Sequence, residues 1–157
     1  MTGEFTQAAA FKAAMVAAAH TLWDAGDTAV DIVNGHPGIT QVDDIVSFAD
    51  VSAEQVPGPM GSRRTRDETL TLEVIFSIYR AGGRDMEQVT FDRAYELLGD
   101  LERHVRVTDT TLGGLVRHCF LVGHASEGST EPAIVAKGRL TTMVARFEAV
   151  ARITTTA

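Results

Sequence analysis

The chain has 157 residues, 45% hydrophobic and 22% charged, which is the composition of one globular domain and excludes a disordered or fibrous protein. Fourteen basic against 21 acidic residues give a net charge of −7, which disfavours tight binding of duplex DNA. No apolar run is long enough to cross a membrane, and a single cysteine excludes an internal disulfide. The basic start of a signal peptide is missing, so we expect a protein made in the cytoplasm.

The first element that the sequence predicts is a helix over residues 5–25. Thr6 is a suitable N-cap, alanine dominates the segment, and Gly26 is a natural stop. Two short strands are expected next, over residues 29–33 and 44–51, with the turn signal of an Asn-Gly and a Pro-Gly pair between them.

Residues 52–67 are predicted to form an extended loop or arm. The segment contains Pro57, Gly58, Pro59 and Gly61, and unstructured stretches of this length in compact domains usually carry function.

The clearest strand of the sequence covers residues 68–80. Leucine, valine, isoleucine and phenylalanine occupy every second position from Leu70 to Ile78, whereas the positions between them are mixed. One face of this strand is therefore expected to be buried and the other to be in contact with water, as in an antiparallel sheet.

The remaining elements are an amphipathic helix over residues 85–107 and two strands over 115–125 and 140–153. The resulting order, α-β-β-β-α-β-β, predicts one α+β domain over residues 1–157, with a mostly antiparallel sheet of about four to five strands packed against two main helices. Phe76 and Phe147 are expected between the sheet and the helices.

The residues that could carry chemistry do not form a catalytic or metal-binding pattern. On one strand, His118 and His124 would share a face about 20 Å apart and could bind one ion only if the strand turned at Gly123. Cys119 would point the other way and be a buried, unreactive thiol. His20 and Asp24 lie one helical turn apart and predict a surface pair. Asp43 and Asp44 are adjacent, so on a strand they would point to opposite faces and not share a metal ion. We therefore expect no catalytic residues, no metal and no cofactor.

The densest basic cluster is formed by Arg63, Arg64 and Arg66. It contains no interleaved aromatic residues and runs into Asp67 and Glu68, which is unlike a nucleic-acid site. Residues 1–62 hold eight acids and one base, whereas residues 63–157 hold 13 of each. Two interpretations stay open: a solvated loop, or a contact between these arginines and an acidic surface on a partner.

The segment from Ser62 through the arginines into the long strand, followed by Gly82-Gly83 and an amphipathic helix, resembles the tail terminator proteins of long-tailed bacteriophages, which are also called tail-completion or minor tail proteins. The order of elements from Thr6 to Ile153 is similar to that of this family, and the residue-level likeness lies within residues 62–83.

This resemblance implies a structural virion protein of the tail or neck, assembled in the host cytoplasm, and not an enzyme. Its implied partners are further copies of itself in a ring, commonly a hexamer, together with the tail tube protein and the connector or stopper protein on the head side. DNA would only pass through the channel. Arg63, Arg64 and Arg66 are the expected partner-binding residues.

Two other readings remain open at this stage. Another phage neck protein, such as a head-completion or connector subunit, would have a similar composition. A small α+β enzyme or ligand-binding domain would place polar residues on an apolar sheet face, but the alternating faces of residues 70–78 and 143–153 are apolar without interruption.

Overall fold

The computed structural model describes residues 5–26, 29–38, 43–58 and 65–154. In this part of the chain, three helices and five strands follow one another. The helices are α1 (Ala8–Trp23), α2 (Met86–Arg103), which continues into a π-helical turn (His104–Thr108), and the short α3 (Pro132–Val135). The strands are β1 (Asp31–Asn34), β2 (Asp44–Pro57), β3 (Arg66–Ala81), β4 (His118–Gly128) and β5 (Gly138–Ile153).

The five strands form one sheet in the order β1-β2-β3-β5-β4. Only the short β1–β2 pair is parallel, and the other three pairs are antiparallel. The predicted fold class is confirmed: the protein is α+β, with a mostly antiparallel sheet and two long helices.

Helices α1 and α2 pack against the same face of the sheet, which we call the covered face. Phe11 and Met15 of α1 and Leu97 and Leu101 of α2 belong to one buried apolar cluster with the inward side chains of the strands. Phe76 and Phe147 are both 0% exposed in this cluster, as the alternating pattern predicted.

Strand β3 is central because it pairs with β2 on one side and with β5 along its whole length on the other. Its even-numbered residues from Glu68 to Ile78 are buried, and its odd-numbered residues from Asp67 to Tyr79 are half-buried. This pattern follows from the two-residue period of a strand that has helices on one side only.

The prediction of a loop over residues 52–67 is wrong for most of that segment. Strand β2 continues through Pro57 and β3 begins at Arg66, and Gly58 N–H donates to the carbonyl of Thr65 at 2.8 Å. The sequence showed no alternation of apolar and polar residues here because all side chains of residues 52–57 are exposed. The segment is a strand because its backbone pairs with β3. The connection itself lies within residues 59–64, outside the described residues.

Two buried carboxylates stabilise opposite ends of the covered face. Asp44, 1% exposed, accepts hydrogen bonds from Arg80 Nη1 at 2.6 Å and from Arg93 Nε at 2.9 Å, which joins β2, β3 and α2. Glu68, 0% exposed, accepts from the backbone N–H of Gln7 at 2.8 Å. The carboxylate of Glu68 thus caps the start of α1, a position where negative charge is favourable.

Candidate assembly surface

The sheet face opposite α1 and α2, which we call the open face, is a mixed polar and apolar surface. Neither long helix packs against it. It presents alternate side chains of the two central strands, all of them half-buried or exposed. From β3 and β5 these are Thr69, Thr71, Glu73, Ile75, Ser77, Tyr79, Thr142, Val144, Arg146, Glu148, Val150 and Arg152.

Of the three arginines predicted to bind a partner, Arg63 and Arg64 lie outside the described residues. Arg66 is the first residue of β3, is half-buried, and stands between Pro57 of β2 and Ile153 of β5. The cluster therefore leads into the end of the β2–β3 hairpin, at the end of the sheet where Glu68 holds α1.

A triad of charges lies beside Arg66 on the open face. Asp67 Oδ1 is 3.1 Å from Arg152 Nε and 3.6 Å from Arg117 Nη2. The hydrogen bond from Arg152 lowers the pKa of the Asp67 carboxyl from its ordinary value. One acid between two guanidinium groups leaves this end of the open face with a surplus of positive charge.

One edge of the sheet is formed by the second half of β2. Strand β1 pairs with residues 45–48 of β2, and no described strand lies beside the remainder up to Pro57. This free stretch is about 30 Å long at 3.3 Å per residue. Its side chains from Ser52 to Pro57 are all exposed, and Asp50 and Glu54 make it acidic.

The other edge is formed by β4, which pairs with β5 alone. A bulge lies between Leu121 and Gly123. A Cβ atom at Gly123 would stand 3.2 Å from Nη2 of Arg146, so the guanidinium of this β5 residue lies over the bulge. Arg146 makes no ion pair with a described residue.

Exposed apolar side chains concentrate at these two edges. Eight large hydrophobic residues are exposed in the described part of the chain; three of them are on the edge strands, and Phe5 and Phe91 lie beside these strands. Phe120 and Val122, 48% and 51% exposed, stand on β4, and Phe91 stacks at 4.8 Å on Tyr95, which contacts His124 of β4. Val56 lies on β2, and the carbonyl of Phe5 accepts a hydrogen bond from Gln55 of that strand. Contiguous exposed apolar surface is typical of interaction sites.

The bulge in β4 overturns one detail of the sequence prediction. His118 pairs with Val150 on the open face, whereas His124 pairs with Ala145 on the covered face, so the two histidines do not share a face. His124 Nδ1 is 3.1 Å from the hydroxyl of Tyr95. Cys119 lies on the covered face, where burial raises the pKa of its thiol to about 12, so the thiol is protonated at neutral pH.

The His20–Asp24 and Asp43–Asp44 pairs lie in places that give them no catalytic partner among the described residues. His20 Nδ1 is 2.9 Å from Asp24 Oδ2 on the exposed side of α1, as predicted. Asp43 is exposed and Asp44 is buried between two arginines, so the adjacent acids point apart as expected. Among the described residues, no group of three potential metal ligands comes together.

A cleft of about 390 Å³ opens where β1 ends against β2. It is lined by Lys12, by the turn from Gly35 to Pro37, and by hydroxyl and apolar groups of the sheet that include Ser47 and Ile75. This cleft adjoins the acidic β2 edge through Ala49 and Asp50.

Comparison with known proteins gives no family assignment, since neither a protein-family model nor a curated protein sequence matches this chain. None of the described helices has the length and apolar character needed to cross a lipid bilayer.

Proposed function

We propose that this chain is a structural subunit that assembles with copies of itself into a ring and terminates the tail of a long-tailed bacteriophage. The observation that carries the proposal is the one-sided sheet: one face is packed against both long helices. Among the described residues, the β3 and β5 part of the opposite face and the free stretches of the two edges carry no long helix or further strand, and apolar groups are exposed there. Unpaired edge strands promote association with other chains, so edges of this kind favour a protein that assembles over one that stays monomeric.

The role as a tail terminator comes from the resemblance over residues 62–83 and is the specific part of the proposal. In this role, the ring caps the tail tube and presents its other surface to the head-side connector, and DNA passes through without being gripped. A net charge of −7 per subunit supports a channel that does not bind DNA tightly.

Arg63, Arg64 and Arg66 act in this proposal as contacts to the tube or to a neighbouring subunit. Arg66 marks where the cluster joins the sheet, at the end of the β2–β3 hairpin. Guanidinium groups pair well with carboxylates, and residues 1–62, with eight acids and one base, supply carboxylates on a neighbouring subunit.

The experiment that tests the function is capping of tail tubes. The purified chain is added to the tube protein encoded in the same genome during tube growth, and tube lengths are measured by negative-stain electron microscopy. We expect a ring at one end of each tube and an arrest of growth. Tubes that grow without limit and carry no ring would contradict the terminator role.

A further inference from the structure

We infer that successive subunits pair the free edge of β2 on one copy with the free edge of β4 on the next, so that the sheet continues from subunit to subunit. This inference rests on the proposed self-assembly and names the surfaces that carry it.

The first support is the direction of the strands. Three antiparallel pairs separate β2 from β4, so β4 runs opposite to β2 within one subunit. When a second copy is placed beside the first in the same orientation, β4 meets the neighbour's β2 as an antiparallel pair, and the open faces continue on the same side. Contacts between unlike surfaces of this kind close into rings when the rotation allows.

The second support is that the edges match in length and accessibility. The free stretch of β2 spans about 30 Å and β4 spans about 35 Å at 3.3 Å per residue. Strand β1 covers only residues 45–48 of β2 and leaves room for a longer neighbour beyond it. No backbone group of β4 from Cys119 to Gly128 bonds to a described element other than β5 and its turn.

The third support is complementarity of charge and apolar surface. Glu54 of β2 and Arg146, beside the β4 bulge, both lie on the open face, and neither makes an ion pair with a described residue. Val56 on one edge and Phe120 and Val122 on the other supply the exposed apolar contacts. Pairing of two β2 edges would instead bring two acidic strands together, which is unfavourable.

Cysteine cross-linking tests the pairing directly. In a Cys119→Ala background, Ser52→Cys or Glu54→Cys marks the β2 edge, and Phe120→Cys or Ala125→Cys marks the β4 edge. Each β2 variant is co-expressed with each β4 variant, one of them carrying a fusion tag that changes its mass, and the complexes are oxidised. Ala13→Cys, on the exposed side of α1, is the matched control.

We expect at least one β2–β4 combination to give the mixed disulfide dimer about tenfold above the Ala13 control, with little dimer from any variant alone. A variant with one cysteine on each edge should give a ladder that ends at the ring. Cross-links within one edge only, or mixed cross-links no stronger than the control, would overturn the pairing.

A charge placed on an edge gives an independent test. Val122→Lys on β4 and Val56→Lys on β2 should each lower the fraction of protein in rings by about tenfold, because a lysine on an edge strand blocks strand addition. Val135→Lys changes an exposed valine of α3 that belongs to neither edge strand, and it should leave the rings intact. Edge variants that assemble as well as Val135→Lys would refute the inference.

The two proposals fail in different ways. Rings that form and cap tubes without β2–β4 cross-links would remove the pairing and keep the function. Open chains with β2–β4 cross-links that never cap a tube would keep the pairing and remove the terminator role.

Discussion

The covered and open faces of the sheet are built from alternate residues of the same strands, yet they have different roles. On β3, Leu70, Leu72 and Val74 are 0% exposed beneath the helices, whereas Thr71, Glu73 and Ile75 between them are half-buried on the open face. The covered face determines the fold, because it removes apolar area from water. The open face and its edges contribute little to folding and are free to contact other molecules.

The largest effect on stability is expected from truncating buried side chains on the covered face. Phe76→Ala and Phe147→Ala should each cost about 3–5 kcal/mol in the free energy of unfolding, since each removes a fully buried ring from a close-packed cluster. Urea unfolding followed by circular dichroism measures this cost. Val144→Ala on the open face is the control and should cost about 1 kcal/mol or less. Equal losses on the two faces would contradict the one-sided core.

The next effect concerns the buried carboxylate that joins β2, β3 and α2. Asp44→Ala should cost about 2–4 kcal/mol, because it leaves Arg80 and Arg93 without the acid that compensates their partial burial. Asp43→Ala, at the exposed neighbouring position, should cost less than about 0.5 kcal/mol in the same urea titration. A cost for Asp44→Ala no greater than that of its neighbour would show that the network does not stabilise the fold.

A smaller effect is expected at the start of α1. Glu68→Ala should cost about 1–2 kcal/mol, because the N–H of Gln7 and the hydroxyl of Thr6 lose their acceptor at a helix terminus. Hydrogen exchange should accelerate in the first turn of α1 and not in α2. Glu73→Ala changes an acid of the same strand on the open face and should leave the exchange of α1 unchanged. Equal exchange in the two variants would argue against a cap by Glu68.

These elements also show which parts of the fold could be predicted from the sequence. The alternation of β3 and β5 reported the covered face correctly, because burial against helices selects apolar residues at every second position. The second half of β2 gave no such signal, because its strand pairs by backbone hydrogen bonds while its side chains stay exposed. The bulge at Val122 reversed the side on which His124 lies. Gly123 indicates where a strand can bend, but the histidine spacing does not show whether it does.

Contacts between residues far apart in the chain could not be predicted from the sequence either. Asp44 meets Arg80 and Arg93, which are 36 and 49 residues away, and Glu68 meets Gln7 across 61 residues. An acid at a strand start has the same local pattern whether it is solvated or held by two arginines. Only the register of β2 with β3 and the placement of α2 over their ends make Asp44 a buried ion-pair partner.

The smallest effect on folding, and the largest on assembly, is expected from the arginine cluster. Replacing Arg63, Arg64 and Arg66 by alanine should change the unfolding free energy by less than about 1 kcal/mol, because the sequence predicts surface charges here and such charges add little to stability. Ring formation and tube capping should weaken, and high salt should weaken them similarly in the native protein, because it screens charges at an interface rim. Circular dichroism measures the fold, and electron microscopy measures the rings. A folded variant that still caps tubes normally would remove these arginines from the mechanism.

Native mass spectrometry of the purified chain tests most directly whether the uncovered surface serves assembly. The account predicts one closed oligomer, expected to be a hexamer, that dissociates into monomers when Val122→Lys is introduced and stays intact with Val135→Lys. A native protein that is monomeric at every concentration tested, or an oligomer that both variants leave unchanged, would contradict the account.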